Sequence, residues 1–190
     1  WLESANERSR VLGSILRKLH GKEILGKDYV EEYLRDQHRR QCRPNTLRST
    51  FSSIDIFVSF VRASHLEEIT TEDLFAFIEH EQDRGMKLRT VRTYLAAVYT
   101  FLHFLSEEGI VGSELVQRKI RLRLPQVLPR AIEPDDVRRF LLVIDTVRDR
   151  ALILLLLRTG MRIGELLATK LTDVNLKEGT IVFRQGTKNC

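Results

Sequence analysis

Apolar residues recur at intervals of three and four over much of the chain, the period of helices that bury one face. Residues 1–22 set Val11, Leu12, Ile15, Leu16 and Leu19 on one side and Arg8, Arg10, Arg17 and Lys18 on the other. This predicts one amphipathic helix, with Gly21 and Gly26 bracketing its end. A helix over Tyr29–Gln41 follows and closes at Arg43-Pro44, because the residue before a proline disfavours helical geometry. The next helix takes Asn45 or Thr46 as its cap and runs to about Arg62, with Ile54, Phe57, Val58 and Val61 as its stripe. Thr70-Thr71-Glu72-Asp73 opens a third, carrying Leu74, Phe75, Phe77 and Ile78 and stopping near Gly85. A fourth spans about Leu88 to Glu108, with Val91, Tyr94, Leu95, Val98, Leu102 and Leu105 at helical spacing. A short fifth covers Ser113–Ile120. From Asp28 on, four main helices with short connections predict a compact bundle.

The pattern breaks after Glu114. Arg118-Lys119-Ile120-Arg121-Leu122-Arg123-Leu124-Pro125 continues to Pro129-Arg130 with no acid before Glu133, and with two prolines and no glycine it reads as extended. The domain boundary belongs here. The expected division is a helical extension at 1–27, a helical domain at 28–118, a basic linker at 119–130 and a second domain at 131–190. The extension reads either as an appendage or as a helix that binds a partner. In the second domain Glu133-Pro134-Asp135-Asp136 starts a helix through Val137–Leu142, and Ala151–Leu157 reads as a buried helix. Lys177–Gly179 is a turn, Thr180–Arg184 a short strand, and Gly186 a second turn that carries Lys188.

Composition narrows the class. The 190 residues are 43% hydrophobic and 30% charged, a globular balance with room for one domain or two small ones. Cys42 and Cys190 stand far apart, which excludes a disulfide scaffold and a structural zinc site. The longest apolar run is too short to cross a bilayer and Trp1-Leu2-Glu3-Ser4 begins no signal peptide, so a reducing, cytosolic setting is expected. A net charge of +5 suggests a polyanionic partner.

The chemistry concentrates in Thr159-Gly160-Met161-Arg162-Ile163-Gly164-Glu165-Leu166. An arginine follows a glycine-punctuated helix end, and a glutamate three residues on can hold it if a short helix restarts there. A fixed guanidinium suits recognition of a phosphate by paired N–H donors. The other reading is a helix terminus with a surface ion pair. The motif is followed by Leu171-Thr172-Asp173-Val174, a strand and a lysine-bearing turn. This order resembles the start of the catalytic domain of tyrosine recombinases, the phage-integrase and Xer-like family. The helices from Asp28 resemble the SAM-like core-binding domain that precedes it, so the likeness covers residues 28–190.

The resemblance implies a mainly α fold: a four-helix core-binding domain, then the first helices and a short β element of a mixed α/β catalytic domain. It implies site-specific recombination without metal or other cofactor, in which a tyrosine attacks a DNA phosphate to give a 3′-phosphotyrosine. Arg162 matches the first arginine that clamps the phosphate oxygens, Lys188 the lysine that protonates the leaving 5′ oxygen, and Glu165 the acid that supports the arginine. All five histidines and all four tyrosines precede Arg162, and Tyr94 lies on a core stripe, so no residue is carried over as nucleophile. The chain therefore reads as a truncated piece or natural remnant that does not cut DNA alone.

The implied partner is double-stranded DNA. Arg43, Thr46, Arg48 and Ser49 gather at one helix start, and Lys87, Arg89, Thr90, Arg92 and Thr93 at another, where backbone N–H groups also favour phosphates. Lys119, Arg121 and Arg123 of the linker join them. The full-length protein is expected as a homotetramer on paired sites and this chain as a monomer. Its expected place is the cytoplasm of a bacterium or archaeon, at the nucleoid and not at a membrane. A non-catalytic DNA-binding regulator derived from a recombinase is the alternative. An all-helical protein-interaction module leaves the motif order unexplained, and a serine recombinase needs an N-terminal catalytic domain with a nucleophilic serine, whereas Ser4, Ser9 and Ser14 lie in a simple amphipathic helix.

Overall fold

Short-range signals set most of the helix boundaries in the computed structural model, which describes residues 2–61, 65–125 and 131–182. The elements are α1 (Leu2–His20), α2 (Lys27–Arg39), α3 (Pro44–Phe60), α4 (Thr71–Asp83), α5 (Leu88–Glu107) and α6 (Ser113–Gln117). After the linker come α7 (Pro134–Leu142), α8 (Val147–Thr159), α9 (Ile163–Ala168), β1 (Val174–Asn175) and β2 (Thr180–Ile181). The chain divides into two units, Trp1–Pro125 and Gln126–Cys190. The architecture is mainly α, with one small two-stranded sheet described in the second unit. No described helix is long and apolar enough to cross a membrane.

Thr70 caps α4 as its sequence predicts. Its hydroxyl accepts from the Asp73 N–H while the Asp73 carboxylate takes the Thr70 N–H at 2.8 Å, so two otherwise orphaned donors are satisfied reciprocally. The start of α3 departs from expectation. Arg43, in extended geometry, is the flanking residue and Pro44 is the first helical one, rather than Asn45 or Thr46 acting as cap. Proline fits there because its fixed φ is already helical and its missing N–H would have had no partner. The last helix of the unit is shorter than expected, ending at Gln117, since residues from Lys119 onward become extended and pack differently.

The core of the first unit is one cluster. Phe57, Phe77 and Phe101 are fully buried, and Phe57 meets Phe77 edge-on with ring centres 5.2 Å apart. Tyr33 packs against Phe101 and Phe104. The helix at the N-terminus is not an appendage, which corrects the expectation of a separate extension. Val11, Leu12, Ile15 and Leu19 are buried in the same cluster, and α1 packs on both α2 and α3. Polar ties secure its end: Lys27 Nζ donates to the His20 carbonyl at 2.9 Å, and Lys22 pairs with Asp55 of α3.

The second unit is more open. No residue of α7 or α8 is buried, and Phe140, Leu154 and Leu157 are about half exposed. Ala151–Leu157, expected to be buried, therefore lies largely uncovered among the described residues, because α9 is the main helix packed on α8. The two short strands pair antiparallel, Val174 opposite Ile181 and Asn175 opposite Thr180. The strand expected at Thr180–Arg184 is described as far as Ile181, and Arg184, Gly186 and Lys188 lie outside the described residues.

Candidate nucleic-acid interface

Each residue of the Thr159–Glu165 corner has a mechanical task. The Thr159 hydroxyl folds back onto the Leu155 carbonyl at 2.6 Å, and it accepts the Met161 N–H at 3.3 Å. Gly160 ends α8 at φ +65, a left-handed conformation that costs an L-residue roughly 1 kcal/mol or more. Met161 is buried and pins the turn. Arg162 then leaves the surface as the residue flanking α9, its side chain 62% exposed.

Glu165 holds Arg162 at two points. One carboxylate oxygen accepts the Arg162 backbone N–H at 2.8 Å and the other accepts Nη1 at 2.9 Å. The backbone bond fixes where the side chain begins, and the guanidinium bond fixes where it points. The carboxyl stays below its ordinary value of 4.5, first because of the Arg162 backbone N–H and then because of the guanidinium. A lowered folded-state value favours the ionised form on folding. That contribution is present above the ordinary glutamate range and is lost as pH falls through the lower folded value. A carboxyl carbon titration by NMR is therefore expected to give Glu165 a midpoint below 4.5 in the folded chain.

The basic residues of the candidate surface differ from several others in their partners. Arg35, Arg40, Arg138 and Arg139 each pair with a nearby acid, the ordinary use of a surface arginine, and Arg84 pairs with the buried Glu81. Arg48, Lys87, Arg89, Arg92, Lys119, Arg121 and Arg123 make no ion pair among the described residues. The sequence removes the local partners: 37–54, 84–106 and 115–132 contain no Asp or Glu, and Arg40 and Arg84 near their edges reach back to Asp36 and Glu81. Acid-free stretches of this kind were the signal available for the whole set. The helix ends agree. Neither α3 nor α5 has an acid in its first turn or a side chain capping it, unlike α4, so their positive ends are not neutralised.

The individual side chains differ in what they can offer. Arg48 is steered by a hydrogen bond from its Nη1 to the Asn45 side-chain amide oxygen at 2.7 Å. Arg43 flanks α3 and Lys87 flanks α5, while Arg89 is exposed on the first turn of α5 and Arg92 on the turn after it. Ser49 and Thr93 donate their hydroxyl protons to the Thr46 and Arg89 carbonyls, so they could meet a phosphate only as acceptors and are poor contacts. Thr46 and Thr90 are half-buried in the opening turns.

The linker is held rather than loose over its described part. Ile120 and Leu122 pack on the core, while Lys119, Arg121 and Arg123 alternate with them and stay exposed along one edge. The Tyr99 hydroxyl of α5 accepts the Ile120 N–H at 2.9 Å, and Lys119 Nζ lies 5.9 Å from the centre of the Tyr99 ring. A groove of about 820 Å³ results, bringing Arg92 together with Arg118, Lys119 and Arg121. Tyr99→Phe removes the tether, worth about 1 kcal/mol, so trypsin cleavage at Lys119 and Arg121 is expected to run roughly fivefold faster. An unchanged cleavage rate would show that the segment is held by its apolar residues alone.

Comparison with known proteins sets these features in context. The family model described as "Phage integrase, N-terminal SAM-like domain" matches residues 30–109, and that of the "Phage integrase family" matches residues 130–190. The chain is 31% identical over 164 residues to tyrosine recombinase XerC of Roseiflexus sp. (strain RS-1), covering 81% of this chain and 52% of that protein. It is 29% identical over 119 residues to tyrosine recombinase XerA of Pyrococcus furiosus, covering 62% of this chain and 40% of that protein. The chain thus spans about half the length of the curated relatives it matches. Its fold resembles lambda integrase (75–356), solved as a dimer bound to a COC′ core site. The TM-score is 0.66 at 19% identity, with 82% of this chain and 58% of that one covered.

Proposed function

We propose, since the chain belongs to the phage integrase family of tyrosine recombinases, that it grips duplex DNA and contributes Arg162 to a site-specific recombination centre. The grip comes from Arg43 and Arg48 at the start of α3, Lys87, Arg89 and Arg92 at the start of α5, and Lys119, Arg121 and Arg123 of the linker. What carries this reading is the gathering of Arg48, Lys87, Arg89, Arg92, Lys119, Arg121 and Arg123, none in an ion pair among the described residues, at two helix starts and one linker edge. A surface cation with no acid beside it can neutralise a phosphate without first giving up an ion pair, and the two helix starts and the linker edge each gather several such cations.

In the recombination reaction two negative charges collect on the non-bridging oxygens of the phosphate under attack. A guanidinium held in advance stabilises them without reorganising. Glu165 supplies that advance placement, and it leaves the remaining guanidinium N–H groups free for the phosphate. Lys188, outside the described residues, is the proton donor to the leaving 5′ oxygen in this scheme. These 190 residues hold no histidine or tyrosine beyond Arg162, so binding without strand cleavage is expected of them.

Duplex binding measured against salt tests the reading. A steep fall of log affinity with log salt is expected. Absence of binding at low salt would overturn it. Light scattering is expected to report a monomer in the absence of DNA, and a stable DNA-free tetramer would contradict that.

A further inference from the structure

We infer that α1 is part of the DNA-binding surface, its exposed ridge Arg10–Ser14–Lys18 meeting the phosphate backbone beside the start of α3. The inference rests on the DNA-binding reading above and extends the binding surface to a helix that lies outside the matched family models, the first of which begins at residue 30.

Three observations carry it. The first is a groove of about 330 Å³ lined by Arg10, Ser14 and Lys18 from α1 and by Arg48 from α3. Residues 10, 14 and 18 are four apart, so they stand one above another along one face of the helix. The groove thus makes α1 continuous with one of the cations assigned to DNA. The second is that Arg10 and Lys18 are exposed and make no ion pair among the described residues. The acid that shares the groove, Glu7, lies at one end and leaves the lining with an excess of positive charge. The third is compositional: residues 8–22 contain five basic residues and no Asp or Glu, the same signature as the stretches that supply the other proposed contacts.

The fold explains why the ridge is presented at a fixed angle. Val11 and Ile15, beside Arg10 and Ser14 in sequence, are buried in the core, and Arg8 donates from Nη1 to the Gln41 amide oxygen at 3.0 Å. That bond ties α1 to the turn before Arg43. The groove is open, with Val11 and Ile15 lying between the cations that line it, and spaced cations on a rigid helix fit a regularly charged polymer. Contacts of this kind position the duplex and read no bases.

The experiment compares salt dependence of duplex binding by the chain, an Arg10→Ala/Lys18→Ala variant and a control of equal charge, Arg35→Ala/Arg138→Ala. Removing two cations from the phosphate backbone is expected to reduce the log–log slope by about 1.8, with the control unchanged. Ethylation interference is expected to lose a discrete set of phosphates in the variant. Both exposed positions are expected to leave the circular dichroism melting curve in place, and an Arg10→Gln/Lys18→Gln variant repeats the test should the alanines disturb the helix. An unchanged slope in a parent that binds steeply overturns the inference and leaves the DNA-binding reading intact. Equal slope losses in variant and control also overturn it, by reducing the effect to net charge. A parent without salt-dependent binding removes both.

Discussion

Replacing Arg43, Arg48, Arg89 and Arg92 together with alanine is expected to flatten the salt dependence of duplex binding by about 3.6 in log–log slope, at roughly 0.9 for each phosphate no longer neutralised. Between 50 and 200 mM salt, that difference amounts to about a hundredfold in the affinity that the parent chain gives up and the variant does not. Affinity at low salt falls most, because there the counterions released at each phosphate contribute most. The four residues are chosen because the substitutions spare the fold. Arg48, Arg89 and Arg92 are exposed, and Arg43 contributes its extended backbone at the start of α3, which alanine can also adopt. A variant that melts like its parent but keeps the full slope would move the grip away from these four arginines, to the remaining cations of the linker, Lys87 and α1. A variant in which only sequence discrimination changes would mean that these side chains reach base edges instead.

The Arg162–Glu165 corner was legible because its geometry is local. Glu165 lies three residues from Arg162, so a single helical turn brings them together whatever the rest of the unit does. Thr70 and Asp73 were legible for the same reason. The start of α3 was misread because Asn45 and Thr46 look like caps, yet Pro44 ahead of them is a better first residue than either is a flanking one. The linker announced its extended form by prolines, but its anchoring by Tyr99 depends on a hydroxyl 21 residues away and has no local signature. The run Leu154-Leu155-Leu156-Leu157 reads as buried because apolar residues occupy every side of the helix, and burial then depends on which elements surround it. Among the described residues, few do. A surface of this kind is the mark of an interface or of an interior that other elements complete.

The same limit explains α1, and it leads to the largest expected effect on stability. An amphipathic stripe states that a helix must cover its apolar side, not which surface covers it. Here the stripe lies on α2 and α3, with Val11, Leu12, Ile15 and Leu19 buried and Leu19 wholly so. Burial of four such side chains contributes about 1.5–3 kcal/mol each, or roughly 6–12 kcal/mol before helix-ordering costs. That is comparable to the entire stability of a typical domain, about 5–15 kcal/mol. Deletion of residues 2–20 is therefore expected to abolish the cooperative thermal transition of the first unit and to leave a dye-binding apolar surface on α2 and α3. Leu19→Ala gives the graded version, a loss of about 2–5 kcal/mol read as a lower denaturant midpoint with unchanged slope. A shortened chain that keeps the parent's melting temperature would show that α1 is a detachable arm after all. In that case DNA contacts along Arg10 and Lys18 would have to survive on a helix free to move, and their spacing would no longer be fixed by the fold.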